Sequence, residues 1–304
     1  MLFNFQGAAA VTLSGDSLFI ILQSLLLVKH FLLVFFEKNV LFVSKPRFRF
    51  CAGYAILGVL GKGAAAMQWE TLSDAIRIAI DDTHRFGTDA FLLEHFAAVR
   101  GIDTVCDLCA GCGIVGLLML RRERPPRSVA AVEIAPGAVE LMRQSAAASS
   151  LSAFTPVEGD LREISALLPA HSFRLVTCNP PYFPEGSGYL CPEDSRRRAR
   201  HEQRESCTVG EVCAAAAWLL QYGGRFCLCQ RPERLTDVLL AMRQNGLEPK
   251  RLRWVQQRPE KAPWLFLAEG KAGAKPGLIT EPPLIVENAD GSYTDELKQI
   301  YHIL

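Results

Sequence analysis

Residues 104–116 read TVCDLCAGCGIVG, and the fold is decided there. Thr104–Leu108 is a short apolar run of strand type. It enters a turn with glycines at 111, 113 and 116, and apolar residues then continue as a helix through Leu120. Strand, glycine turn and helix in this order open a βαβ unit, where missing side chains let the backbone approach a ligand. Working outward, the prolines within residues 124–127 break that helix. Residues 128–134 read as a second strand, and Pro136 suits the first turn of a helix reaching Ala148. Strands follow at 153–157 and 173–178. A helix at 209–221, closed by Gly223-Gly224, leads to a strand at 225–229. A helix at 235–244, strands at 251–256 and 264–268, and a short helix at 294–301 complete the pattern. The alternation predicts an α/β, Rossmann-like fold: a mostly parallel seven-stranded sheet with helices on both faces.

The glycines alone fit several nucleotide-containing cofactors. Asp107 narrows the choice, because a carboxylate at the strand end repels a pyrophosphate seated at the turn and welcomes a cation. S-adenosyl-L-methionine has no phosphate and carries a cationic methionyl ammonium. Glu133, twenty residues past Gly113, is placed for ribose hydroxyls, and Asp160 for the adenine amine. Gly111 and Gly113 complete this cofactor set. An NAD enzyme rests on the glycines alone, and no hydride-transfer acid or base accompanies them.

Asn179-Pro180-Pro181-Tyr182 follows the fourth strand, at the carboxyl edge where ligands bind in open α/β sheets. Two prolines stiffen the backbone, so the Asn179 amide oxygen and the Pro180 carbonyl can both accept from one planar NH2 group. Tyr182 offers a face for a flipped base. These four residues are the predicted catalytic set.

With these motifs, FGTDAFLL at 86–93, ARHE at 199–202 and GSYTDELKQIY at 291–301, the chain resembles the bacterial tRNA(Val) adenine-N6 methyltransferase family, class I enzymes of the NPPY type. The resemblance runs from about Trp69 to the C-terminus. It implies S-adenosyl-L-methionine as donor and the adenine next to the anticodon as acceptor. It also implies that Gly87, Thr88 and Asp89 lie near the methionyl end. Cys109 departs from the glycine common in such turns; a small thiol is tolerated there if the residue keeps a negative φ. Arg196, Arg197, Arg198, Arg200 and Arg204 cluster after the NPPY segment, beside Tyr189 and His201, and are placed to grip tRNA phosphates. Lys250, Arg251 and Arg253 are candidates to extend that basic surface. A release-factor glutamine, an rRNA guanine, or a non-catalytic role in binding cofactor or RNA are the alternatives.

The 304 residues carry 33 Lys+Arg against 32 Asp+Glu, so no global basic field marks a nucleic-acid partner. The imbalance is local: residues 1–66 hold six basic and two acidic residues. Residues 17–36 are apolar and about as long as a membrane span, with Lys29 near the middle costing roughly 2.5–3.5 kcal/mol on insertion. No basic residue precedes Lys29, which argues against a secretory signal. The expectation is that residues 1–66 are a hydrophobic extension, from a start upstream of Met67 or as an anchor, and that residues 67–304 form the catalytic domain. Ten cysteines without a disulfide pattern fit a cytoplasmic location. Cys106, Cys109 and Cys112 are spaced as in metal-binding motifs but lack a fourth ligand, so no metal is expected.

Overall fold

The computed structural model describes residues 67–180 and 207–302. The candidate membrane segment at 17–36 lies outside them. Among the described residues, no helix is long and apolar enough to cross a membrane.

The domain begins with a two-stranded antiparallel hairpin, β1 (Gln68–Thr71) and β2 (Arg77–Ile80). The first helix, α1 (Thr88–Ala97), leads to β3 (Thr104–Leu108), the glycine turn and α2 (Ile114–Leu120). Next come β4 (Ser128–Glu133), α3 (Pro136–Ala148), β5 (Phe154–Glu158), the short α4 (Ile164–Leu167) and β6 (Phe173–Cys178). Beyond residue 206 lie α5 (Val209–Leu219), β7 (Leu220–Gln230), α6 (Leu235–Gln244), β8 (Leu247–Gln256) and β9 (Leu265–Ala272). Two-residue strands β10 (Ile279–Thr280) and β11 (Leu284–Ile285) precede α7 (Asp295–Tyr301).

The main sheet runs β10-β8-β9-β7-β6-β3-β4-β5, with β11 also paired to β8. Seven full-length strands form the expected sheet, and the two-residue strands raise the count to nine. Strands β3 to β7 pair in parallel, and β9 is antiparallel to both of its neighbours. Buried mostly on both faces, the central strands are predominantly apolar along their length. Val105, Val129 and Ala131 point to one core with Leu92, Leu117 and Met142. Cys106, Ala130 and Val132 point to the other with Val212, Phe226 and Val238. The period-two alternation therefore fills two cores from the same strands.

Gly223 and Gly224 do not close a helix, as the sequence predicted. Helix α5 stops at Leu219 and both glycines lie inside β7, where the β6–β7 register shifts between Phe173 and Leu175. The proposed basic extension is also corrected. Arg251 is bonded to Glu269 and Glu281, and Arg253 to Glu296, so these cations tie the C-terminal strands and tail together. Lys250 donates to the Lys275 carbonyl.

Candidate active site

Strand β3 has β4 on one side and β6 on the other, so the chain reverses direction across the sheet at its carboxyl end. Such switch points leave a crevice for ligands. A cavity of about 360 Å³ opens there, in the lower part of the range for small-molecule sites. Gly111, Glu133, Asp160 and Asn179 line it, together with His84, Cys109, Arg162 and Cys207.

The glycine turn is built for this place. Gly111 has φ +55, and a Cβ there would meet nothing within 4 Å, so the backbone faces open space. Its amide donates to Glu133 Oε2 at 2.9 Å. Glu133 Oε1 accepts from the Ile134 and Ala135 amides at 2.9 and 3.0 Å. Three backbone donors thus hold the carboxylate at the cavity wall. Gly113 does not line the cavity. At φ +84 its missing side chain makes room for Phe154 and Met142, each within 3 Å of where a Cβ would sit. It shapes the turn by packing.

Asp107 does not line the cavity either; it is fully buried beneath the turn. Oδ1 accepts from the Thr177 hydroxyl at 2.6 Å, and Oδ2 has no partner. Burial raises its pKa to about 7, opposed by the Thr177 bond and reinforced by the charge of Glu133. A buried carboxylate oxygen without a partner, below a turn open to a cavity, suits a cofactor that brings a cation.

Asp160 caps the short turn at Leu161–Glu163, and its oxygens accept from the Arg162 amide and guanidinium, with Nε at 2.8–2.9 Å. Arg162 holds that carboxylate below its usual range. An adenine amine at Asp160 has to share an acid already paired to Arg162.

Asn179 sits just past β6 at the cavity rim. Its Nδ2 donates to Asp89 Oδ2 at 3.1 Å, and its Oδ1 accepts from the Cys229 thiol at 3.1 Å. Asp89 lies in the first turn of α1 and Cys229 near the end of β7. Pro180 is buried. Pro181, Tyr182 and the arginines at 196, 197, 198, 200 and 204 lie outside the described residues, as do Tyr189 and His201.

Gly87, Thr88 and Asp89 do not line the cavity; they form the start of α1. The Thr88 hydroxyl bonds Tyr301 Oη at 2.7 Å, and the Phe91 ring meets Tyr301 edge-on at 4.9 Å. The two sequence stretches behind the narrow resemblance, 213 residues apart at this bond, meet directly in space.

Cys109 has φ +54, so the condition of a negative φ is not met; the turn carries strain of about 1–2 kcal/mol at this residue. Its Sγ is 3.6 Å from that of Cys207, and its pKa is raised by hydrogen bonding with Cys178 and by burial. Cys106 and Cys112 belong to opposite cores, so the CxxCxxC spacing converges on nothing. Sequence reasoning missed His84, Arg162 and Cys207 on the cavity wall. A signal existed for His84: Asp81 stands three residues before it and accepts from its backbone and ring. Cys207 gave no such local sign.

The methyltransferase small domain model matches residues 82–189. A tRNA1(Val) (adenine(37)-N6)-methyltransferase of Porphyromonas gingivalis is 33% identical over 70% of this chain and 85% of its own length. The chain belongs to this methyltransferase family. The Bacteroides thetaiotaomicron member is 27% identical over 71% of the chain and 88% of its own length. A solved structure described as a predicted O-methyltransferase from Agrobacterium tumefaciens superposes with TM-score 0.55 at 22% identity, over 70% of this chain and 95% of that one, which speaks to the fold alone. In this family setting the methyl donor is S-adenosyl-L-methionine, and the cationic fit at Asp107 agrees.

Proposed function

We propose that this chain transfers a methyl group from S-adenosyl-L-methionine to the exocyclic N6 amine of an adenine in tRNA, the base next to the anticodon of tRNA(Val), in the cytoplasm. The observation that carries this reading is Asn179, which stands at the rim of the cavity that Gly111 and Glu133 line, with its amide held by two other elements.

Bound, the cofactor supplies a methyl group already activated on a sulfonium. The residues then bind, orient and exclude water, which accounts for most of the rate. Glu133 is placed to accept from ribose hydroxyls, Gly111 gives backbone access, and Asp160 with Arg162 forms the wall beyond. Asp107, with Gly87 and Thr88, is assigned to the methionyl end, and Gly113 to the shape of the turn. The Asn179 and Pro180 carbonyls accept both amine protons, which draws the nitrogen lone pair out of conjugation. Tyr182 and Pro181 seat the base, and the surplus proton leaves to water after transfer. The arginines at 196, 197, 198, 200 and 204 are assigned to tRNA phosphates. Residues 67–304 are read as the methyltransferase domain, with 1–66 an extension.

Labelled cofactor offered with tRNA(Val), ribosomal RNA and release factor tests the assignment. Label should appear in N6-methyladenine of the tRNA; label in a glutamine or a guanine overturns it. Asn179→Ala should cut turnover by roughly 100-fold or more while cofactor affinity holds. Unchanged turnover removes Asn179 from the chemistry.

A further inference from the structure

The amide of Asn179 has two faces of opposite character, and transfer to an amine needs the right one turned inward. An NH2 group aimed at the acceptor would set donor against donor. A carboxylate can only accept when ionised, so whatever faces Asp89 Oδ2 has to be the NH2 end of Asn179. The Cys229 thiol, a weak donor, meets the carbonyl end. Both neighbours select the same rotamer, and they come from elements remote in sequence. Asp89 is itself fixed: its Oδ1 accepts from the Ala90 amide at 3.1 Å, and Thr88 beside it is held by Tyr301.

We infer that Asp89 is a positioning residue for methyl transfer, which sets the orientation of the Asn179 amide so that its oxygen is presented to the amine. The inference rests on the methyltransferase reading and assigns Asp89 a task other than holding the methionyl end. The isosteric Asp89→Asn is the informative variant. Its side chain has one acceptor for two donors, the Ala90 amide and the Asn179 NH2. Satisfying the backbone leaves an NH2 against Asn179, which then turns its own carbonyl toward position 89 and its NH2 to where its oxygen stood beside Cys229, so that an acceptor amine would meet a donor.

Two measurements on the full chain test this. In the first, kcat, KM for tRNA and the cofactor Kd are compared for wild type, Asp89→Asn and Asp89→Glu. The expected result is a kcat lowered roughly tenfold to 100-fold in Asp89→Asn, with KM and Kd within about twofold. Asp89→Glu, which keeps an acceptor-only group, should regain part of the loss. A raised cofactor Kd with kcat preserved assigns Asp89 to the methionyl end and overturns the inference. A lowered melting temperature with unchanged kcat makes it merely structural and does the same. In the second, the side-chain NH2 resonance of Asn179, identified by its loss in Asn179→Ser, is followed by NMR. It should move in Asp89→Asn, and a stationary resonance overturns the inference even if the acceptor proves not to be tRNA. A resonance that moves in Asp89→Asn, when the wild-type protein proves inert on tRNA, leaves the inference standing and removes the tRNA assignment instead.

Discussion

Asp107 is where a single residue links stability and pH and, on the proposed function, the cofactor. Its folded-state pKa of about 7 lies above the ordinary 3.8, because burial disfavours the charged form. Between about pH 4 and pH 7 the folded protein keeps a proton that the unfolded chain has lost. Its stabilising contribution is full at low pH and is lost as pH rises through 7. Asp107→Asn keeps the size and the acceptor for Thr177 but removes the titration. The cofactor-free melting temperature should rise in this variant by several degrees at about pH 8 and hardly change at about pH 4. Equal shifts at both pH values, read by calorimetry, refute the assignment. The cationic cofactor should also bind wild type more tightly at about pH 8 than at about pH 6, and the Asn variant should lose that dependence. At this scale the sequence was informative about where Gly111, Glu133 and Asn179 stand, since their places on the cavity wall follow from position at strand ends. It was silent on the pairings Asp89–Asn179 and Cys109–Cys207, which join residues 90 and 98 apart. It was also silent on the positive φ of Cys109, because residue type does not fix φ there.

Among elements, α7 lines no part of the cavity and yet bears on it. Tyr301 bonds Thr88 and packs on Phe91, and Arg121 reaches from the end of α2 to the Ile300 carbonyl. Tyr301→Phe keeps the packing and loses one hydrogen bond, so it should cost about 1 kcal/mol of stability. If α1 carries that loss to Asp89, kcat falls as well; intact kcat in a destabilised variant confines α7 to structure. The elements were legible in proportion to their burial. The bounds of β3, β6, α3 and α6 follow from apolar runs, a Pro at N1 and turn signals. The hairpin β1–β2 escaped sequence reading, because its first strand is mostly exposed and reads QWET. Strands β10 and β11, of two residues each, carry no periodicity to find.

For the whole molecule, charge is placed by function more than by amount. Glu269 is buried between Arg225 and Arg251, and Asp103 completes the network with Arg225. Glu269→Gln takes one charged partner from each arginine, Arg225 keeping Asp103 and Arg251 keeping Glu281, and should cost about 2 kcal/mol in denaturant unfolding; a decrease below ~1 kcal/mol means water already solvates the cluster. The arginines at 196–204 are sequence-local and proposed for RNA. Replacing Arg196, Arg197 and Arg198 by alanine should weaken tRNA binding and flatten its salt dependence, by about one unit of slope for each phosphate no longer gripped. An unchanged slope removes them from the interface.

The reversal of chain direction at β3 also divides the protein's evolvability. The cavity-wall groups proposed for the donor follow β3, β4 and β5, whereas the segment proposed for the acceptor follows β6 in sequence. On that proposal, either half is free to vary without rewriting the other. Grafting a relative's residues 181–206 onto this scaffold should redirect which amine is modified while leaving cofactor affinity as it was.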